Sequence, residues 1–152
     1  MAQRPEYVDL LDTIRLQEIG AGIYLQAWAD KTSHPGLKDC LSFVAEREVS
    51  HGDLMDRRIR ELGYQPEGTE DENFKERMEI LGSDMPDAEK IQCIKDAAQK
   101  QPKPTVREKY VLAAHDPKVD HLTRALLGWF ADVEADSGAM MAETYKTMEG
   151  VS

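Results

Sequence analysis

The chain has few cysteines, few positive charges relative to negative ones, and no long apolar run, and each shortage excludes a class of protein. Its two cysteines, Cys40 and Cys93, form no Cys-x-x-Cys pair, which argues against a disulfide framework or a site built from thiolates alone. The 19 Lys and Arg residues are outnumbered by 29 Asp and Glu residues, and the net charge of −10 repels nucleic-acid phosphates and anionic lipids. We therefore expect no nucleic-acid partner and no membrane partner.

The longest uncharged stretch is too short to cross a bilayer. It covers eleven residues, 19–29, whereas a membrane-spanning helix needs about 20. The N-terminus continues directly into charged amphipathic sequence without the apolar core of a signal peptide. These features predict a cytoplasmic protein, and the length predicts a single domain over residues 1–152.

Strand patterns are nearly absent, because no alternating apolar run is bounded by hairpin turns. Long helical periodicities instead begin at prolines, which are tolerated in the first turn of a helix and disrupt its interior. These prolines are Pro5, Pro35, Pro86 and Pro117, and Asp116 is the expected N-cap of the last segment. The four predicted helical segments are 5–31, 35–62, 86–115 and 117–149. The predicted fold class is all-α.

The connections predict how these segments are arranged. Very short links at 32–34 and 115–116 make each outer pair an antiparallel hairpin. The middle connection, 63–85, is long enough to run the length of a bundle and carries a short helical stretch at 74–81. Two antiparallel hairpins joined by a long crossover form the ferritin-like arrangement of a four-helix bundle, and an up-down-up-down bundle with a loose loop is the alternative.

The third predicted helix contains the sequence Gln101-Pro102-Lys103-Pro104 at its midpoint. Proline removes a helical hydrogen bond and clashes with the preceding turn. We therefore expect the third helix to be broken near Pro102-Pro104.

Four polar residues interrupt the apolar helical stripes: Glu18 in the first helix, Glu48 and His51 in the second, and Glu134 in the fourth. Counted from the short turns, the three carboxylates lie within about one helical turn of a common level. Several carboxylates in one core require a shared cation or shared protons. Glu48 and His51 lie on one helix face and offer an oxygen and a nitrogen, a combination that suits iron, manganese or zinc. Alternatively, individual carboxylates lie at the stripe edge in water.

The region 18–63 resembles the first hairpin of the rubrerythrin and ferritin-like superfamily, whose members are iron-carboxylate four-helix bundles. The matching positions are Glu18, Ala21, Tyr24, Leu37, Leu41, Ala45, Glu48, His51, Leu54, Ile59, Leu62 and Gly63. The resemblance implies two irons between the helices. It makes Glu18 and His51 terminal ligands of one metal, with Glu48 bridging to a second and Glu134 as the bridging Glu of the fourth helix.

The chain departs from the family pattern in the second half of the metal site. Ser137 stands where the family has His, and the proline break stands where the third helix has Glu. By helical rise, Asp96 lies about 8 Å short of the required level and Glu108 about 10 Å past it. Whether Asp96, Gln101, Glu108 or Ser137 completes a second position stays open. The expected cofactor is therefore one or two iron ions, with manganese or zinc as alternatives.

These observations predict a non-haem iron-binding protein whose metal undergoes redox chemistry with O₂ or peroxide. A metal-free ferritin-like scaffold or binding protein with a decayed site is the second hypothesis. The third is an oxygenase-like enzyme acting on an apolar organic substrate in a pocket lined by glycines beside the site, such as Gly20, Gly22, Gly52 and Gly138. Close helix packing is the alternative explanation of those glycines. Without Cys-x-x-Cys, electrons would come from an external donor, and the resemblance implies a homodimer.

Overall fold

The computed structural model describes residues 3–149, and within that range all regular structure is helical. This confirms the predicted all-α class for the described part of the chain. The helices in chain order are α1 (Glu6–Lys31), α2 (Pro35–Glu61), α3 (Phe74–Leu81), α4 (Asp87–Gln99), α5 (Val106–Ala113) and α6 (His121–Glu149).

The helices form a bundle in which α1 packs against α2 and α5, and α6 packs against the same two helices. Helices α1 and α2 are antiparallel: Gly22 lies against Val49 of α2, and Gly52 of α2 lies against Ile19. Helices α2 and α6 are also antiparallel, since Arg47 pairs with Asp136 and Arg58 with Asp120.

The connection between α2 and α4 follows α1 along its length. It begins at Gly63, whose positive φ of 87° ends α2 with hydrogen bonds from Gly63 N to Arg60 O and from Tyr64 N to Ile59 O. Successive contacts then follow α1 toward its C-terminus: Gly68 with Leu16, Phe74 with Gly20, Gly82 with Ala27, and Asp84 with Lys31. The crossover therefore carries the chain from one end of the bundle to the other.

The third predicted segment is divided as expected. Helix α4 ends at Gln99 and α5 begins at Val106, so residues 100–105 form a non-helical break. A capping box forms the N-terminus of α5 directly after the break. In it, the Thr105 side chain accepts from Glu108 N and the Glu108 side chain accepts from Thr105 N.

The predicted start of the last helix is wrong. Helix α6 begins at His121 rather than at Pro117, and Asp116 accepts a hydrogen bond from Lys118 N within a turn. Asp120 takes the capping role by accepting from Thr123 N at 2.9 Å. It also pairs with Arg58 of α2 at 2.7 Å, and this tertiary contact is what distinguishes it from Asp116.

The buried apolar residues form two clusters, one toward each end of the bundle. One contains Trp28 and Leu41, and the other contains Leu11, Ile59 and Phe130. The polar residues of the helix stripes lie in the layer between them. No helix in the range 3–149 is long and apolar enough to cross a membrane.

Candidate metal centre

The structure brings together the four residues that the sequence singles out. Glu18 of α1, Glu48 and His51 of α2, and Glu134 of α6 each offer one ligand atom, and these atoms all lie within 4.8 Å of one another. Ligands on opposite sides of one transition-metal ion lie about 4.4 Å apart, because each bond is about 2.0–2.2 Å long. The observed spacing is only slightly wider than a single ion requires.

Three of the four ligand atoms are buried without a hydrogen-bond partner. Nδ1 of His51 lies 3.4 Å from Oε1 of Glu18 and 3.4 Å from Oε1 of Glu134, and none of these three atoms is hydrogen-bonded. Buried polar atoms in folded proteins are nearly always paired, because an unpaired one costs about 1–3 kcal/mol. Three such atoms converging on one point fit a cation bound between them.

Burial also disfavours the ionised forms of Glu18 and Glu48 when no cation is bound. Glu18 and Glu48 are each 5 % exposed. Burial is the main cause that raises the pKa of Glu18 to about 8; the neighbouring Glu134 contributes to the rise, and the contact with Glu48 opposes it. Burial and the contact with Glu18 raise the pKa of Glu48 to about 11. In the metal-free chain, protons therefore replace the positive charge that a metal would supply.

Two aromatic rings hold the His51 imidazole in place. The ring is 2 % exposed at its side chain and lies edge-on to Trp129, at 5.5 Å between centroids, and to Phe130, at 5.3 Å. Tyr110 of α5 in turn packs against Phe130 at 4.9 Å. Helices α5 and α6 thus fix the orientation of a ligand that α2 supplies.

Three of the four candidate residues for a second metal position, Ser137, Glu108 and Asp96, have other partners. The Ser137 hydroxyl accepts from Nη1 of Arg47 at 3.0 Å, so a guanidinium group occupies the position next to it. Glu108 belongs to the capping box of α5 and accepts from Lys103. Asp96 is exposed and accepts from Gln92 of its own helix. Of the four, Gln101 lines the cavity that reaches the carboxylate cluster.

A cavity of about 630 Å³ opens onto the cluster on the side where the third helix is broken. Its lining includes Glu18, Glu48 and Glu134, together with Gln101 and Pro104 of the break. Helix α4 stops before this level and α5 starts after it, so the loop leaves space that a continuous helix would fill. Small molecules can therefore reach the carboxylates from this side.

None of the glycines noted in the sequence lines this cavity. A Cβ at Gly22 would lie 2.6 Å from Val49 Cγ2, and one at Gly52 would lie 2.7 Å from Ile19 Cγ1. Gly20 faces Phe74, and Gly138 has no atom within 4 Å of a Cβ position. Gly22 and Gly52 allow α1 and α2 to approach closely, which agrees with helix packing as the reason for these glycines rather than with a glycine-lined pocket.

Other cavity residues were not indicated by the sequence. Arg77, Arg107 and Tyr110 all line the cavity. The arginines come from short helices flanking loops, where no apolar stripe shows which face is buried. The proline pair did mark the break that creates the opening.

A comparison with protein-family models, curated proteins and solved structures finds no significant match to this chain. The function of the chain is therefore inferred from the geometry of the site.

Proposed function

We propose that this chain is a ferritin-like protein that binds one non-haem iron ion per chain through Glu18, Glu48, His51 and Glu134. The observation that carries the proposal is the convergence of three unpartnered buried atoms, from Glu18, His51 and Glu134. Three carboxylates and one imidazole are suitable ligands for iron, and also for manganese or zinc. Bound iron would supply redox chemistry with O₂ or peroxide, the electrons coming from an external donor.

The chain's own residues provide the rest of the arrangement. The carboxylates balance the charge of the cation, and the edge-on rings of Trp129 and Phe130 keep His51 directed at it. The cavity, whose lining includes Gln101 and Tyr110, admits small molecules to the cluster. The order of neighbours α1, α2, α6 and α5, with a long crossover along α1, supports the ferritin-like assignment.

One ion per chain is proposed rather than two because three of the four candidate ligands of a second position have other partners. Ser137 faces Arg47, and the positive guanidinium disfavours a second cation beside it. Glu108 takes part in the capping box of α5, and Asp96 accepts from Gln92 of its own helix.

The decisive experiment is metal content by mass spectrometry, on protein loaded with Fe(II) without oxygen and then desalted. We expect one iron per chain, lost in the double variant Glu48→Ala, His51→Ala. The matched control is Glu46→Ala, Asp53→Ala, which alters two exposed acids of the same helix and should retain the iron. Circular dichroism shows whether each variant is folded. Stoichiometric iron in the Glu48/His51 variant would exclude this site, and two irons per chain would exclude the single-ion assignment.

A metal-free scaffold is the second candidate, and one observation favours it. The raised pKa values of Glu18 and Glu48 let the chain bury both carboxyl groups as neutral acids. This hypothesis expects no iron after desalting and no change in the free energy of unfolding when Fe(II) is added.

The oxygenase-like hypothesis is favoured by a different observation, the 630 Å³ cavity beside the cluster. That volume lies within the range of small-molecule sites. Oxygen consumption by the iron-loaded protein that depends on an added organic substrate would distinguish it from reaction with O₂ or peroxide alone.

A further inference from the structure

The cavity wall carries two arginines for which the metal site gives no role. Arg77 comes from α3 and Arg107 from α5, and both line the cavity that reaches Glu18 and Glu134. Neither forms a salt bridge within residues 3–149, although Arg77 lies close enough to Asp71 to lower its pKa against the effect of burial. Five other arginines of the chain do pair with carboxylates: Arg4, Arg15, Arg47, Arg58 and Arg60.

Each of the two guanidinium groups faces a tyrosine hydroxyl instead. Nη1 of Arg107 donates to the hydroxyl of Tyr110 at 3.5 Å. The Arg77 guanidinium lies close enough to the Tyr24 hydroxyl to lower the pKa of that tyrosine against the effect of burial. Burial raises the pKa of both tyrosines, so both hydroxyls are neutral at pH 7. A neutral hydroxyl uses one of the five N–H donors of a guanidinium and supplies no negative charge to it.

The remainder of the cavity combines apolar and acidic surface. Ile14, Ala21 and Phe130 provide apolar wall, and the volume of about 630 Å³ fits an organic molecule rather than an inorganic ion. The acidic residues Glu70, Asp71 and Glu72 also line the cavity, together with Lys109. Because these carboxylates repel anions at long range, an anion has to gain its binding energy from direct contact with the arginines.

We propose that Arg77 and Arg107 bind the carboxylate of an organic acid, whose apolar body lies against Ile14 and Phe130 in the cavity beside the carboxylate cluster. Planar guanidinium groups match the two oxygens of a carboxylate with paired N–H donors. The proposal deepens the proposed function, on which it rests, by naming the class of small molecule held at the same site.

The test measures binding of octanoate and of its neutral analogue octanamide by calorimetry. We expect octanoate to bind more tightly than octanamide, and the Arg77→Gln and Arg107→Gln variants each to weaken octanoate binding by about tenfold to a hundredfold. The control is Arg57→Gln, which neutralises an exposed arginine of α2 and should leave binding unchanged.

Several outcomes would overturn the proposal. These are no octanoate binding, equal affinity for octanamide, and an equal loss of binding in the Arg57→Gln control. Displacement of octanoate by inorganic phosphate at equal concentration would also overturn it, since the site would then bind anions without regard to an organic body. Circular dichroism identifies any variant that has failed to fold, and the other arginine variant then decides the result.

Metal content measured on the same samples separates this proposal from the proposed function. Iron retained without arginine-dependent octanoate binding contradicts only the organic-acid site. Arginine-dependent octanoate binding without retained iron contradicts only the metal site.

Discussion

Nδ1 of His51 lies 3.4 Å from Oε1 of Glu134, and the two residues belong to α2 and α6, which meet only through tertiary packing. Both atoms are buried without a hydrogen-bond partner. A cation held between them would link the first hairpin of the bundle to its last helix. Metal binding should therefore be visible as added stability of the whole fold.

Fe(II) added without oxygen should raise the free energy of unfolding of the wild-type chain. A ligand that binds only the folded state adds about 2.7 kcal/mol at a hundredfold excess over its Kd. The Glu134→Gln variant should bind Fe(II) at least about tenfold more weakly and gain correspondingly less stability. The measurement is chemical unfolding with and without the metal. Glu143→Gln, an exposed change on the same helix, should behave as wild type, and equal behaviour of the two variants would argue against Glu134 as a ligand.

The metal-free chain should lose stability as the pH rises from 5 to 8. Burial raises the pKa of Glu18 to about 8 and that of Glu48 to about 11, whereas in the unfolded chain both lie near 4.3. Between these values the folded chain holds protons that the unfolded chain has released, so the free energy of unfolding falls with pH by at most about 1.4 kcal/mol per unit for each group. Urea unfolding with a chelator present measures the slope. In the Glu48→Gln variant the free energy of unfolding should fall less steeply with pH. An unchanged slope would contradict the raised pKa of Glu48 in the folded chain.

Gly52→Ala should destabilise the protein although alanine favours helix. The new Cβ would lie 2.7 Å from Ile19 Cγ1 and 3.4 Å from the carbonyl oxygen of Arg15, so α1 and α2 would have to separate, at a cost of about 1–3 kcal/mol. Gly138→Ala has no such neighbour and should stabilise by about 0.5–1 kcal/mol. Thermal unfolding of the two variants should move in opposite directions. A loss of stability at Gly138 would indicate a contact that residues 3–149 of one chain do not make.

The Asp12→Ala substitution should remove contacts that hold the start of the crossover against α1. The Asp12 carboxylate accepts from Gly68 N at 2.9 Å, from Glu67 N at 3.1 Å and from Arg15 Nε at 2.8 Å. Removing it leaves Arg15 buried without its carboxylate, at a cost of about 3 kcal/mol. Asp9→Ala, an exposed change one turn earlier, should cost well under 1 kcal/mol. Chemical unfolding measures both, and faster proteolysis within 64–73 in Asp12→Ala alone would locate the change.

The stability that the Asp12 contacts contribute should decrease as the pH falls. The stability that the protonated Glu18 and Glu48 contribute should instead decrease as the pH rises. Burial raises the pKa of Asp12, but the hydrogen bonds from Gly68 and Arg15 outweigh it and hold the pKa below its usual value. Its contribution is therefore complete above the unfolded pKa of about 3.9 and is lost as the pH falls through the folded value. The difference in stability between wild type and Asp12→Ala should shrink below pH 4, and a constant difference would contradict this.

The position of a polar residue within an apolar stripe is a property of one helix, so the sequence alone could indicate the cluster. Helical periodicity placed Glu18, Glu48, His51 and Glu134 on stripes, and counting from the short turns placed the carboxylates at one level. The all-α class and the break near Pro104 follow from equally local causes, since proline acts on its own turn.

Tertiary packing decided the features that depend on the neighbour of a side chain. Asp116 and Asp120 are both suitable caps, and the contact of Asp120 with Arg58 distinguishes them in the folded chain. The contact between Ser137 and Arg47, which disfavours Ser137 as a metal ligand, forms only in the folded chain. The cavity exists because the loop 100–105 leaves space beside the carboxylates that a continuous helix would fill, and Arg77 and Arg107 line it from separate short helices. The periodicity of one helix does not predict these contacts between elements, because they depend on which surfaces the folded chain brings together.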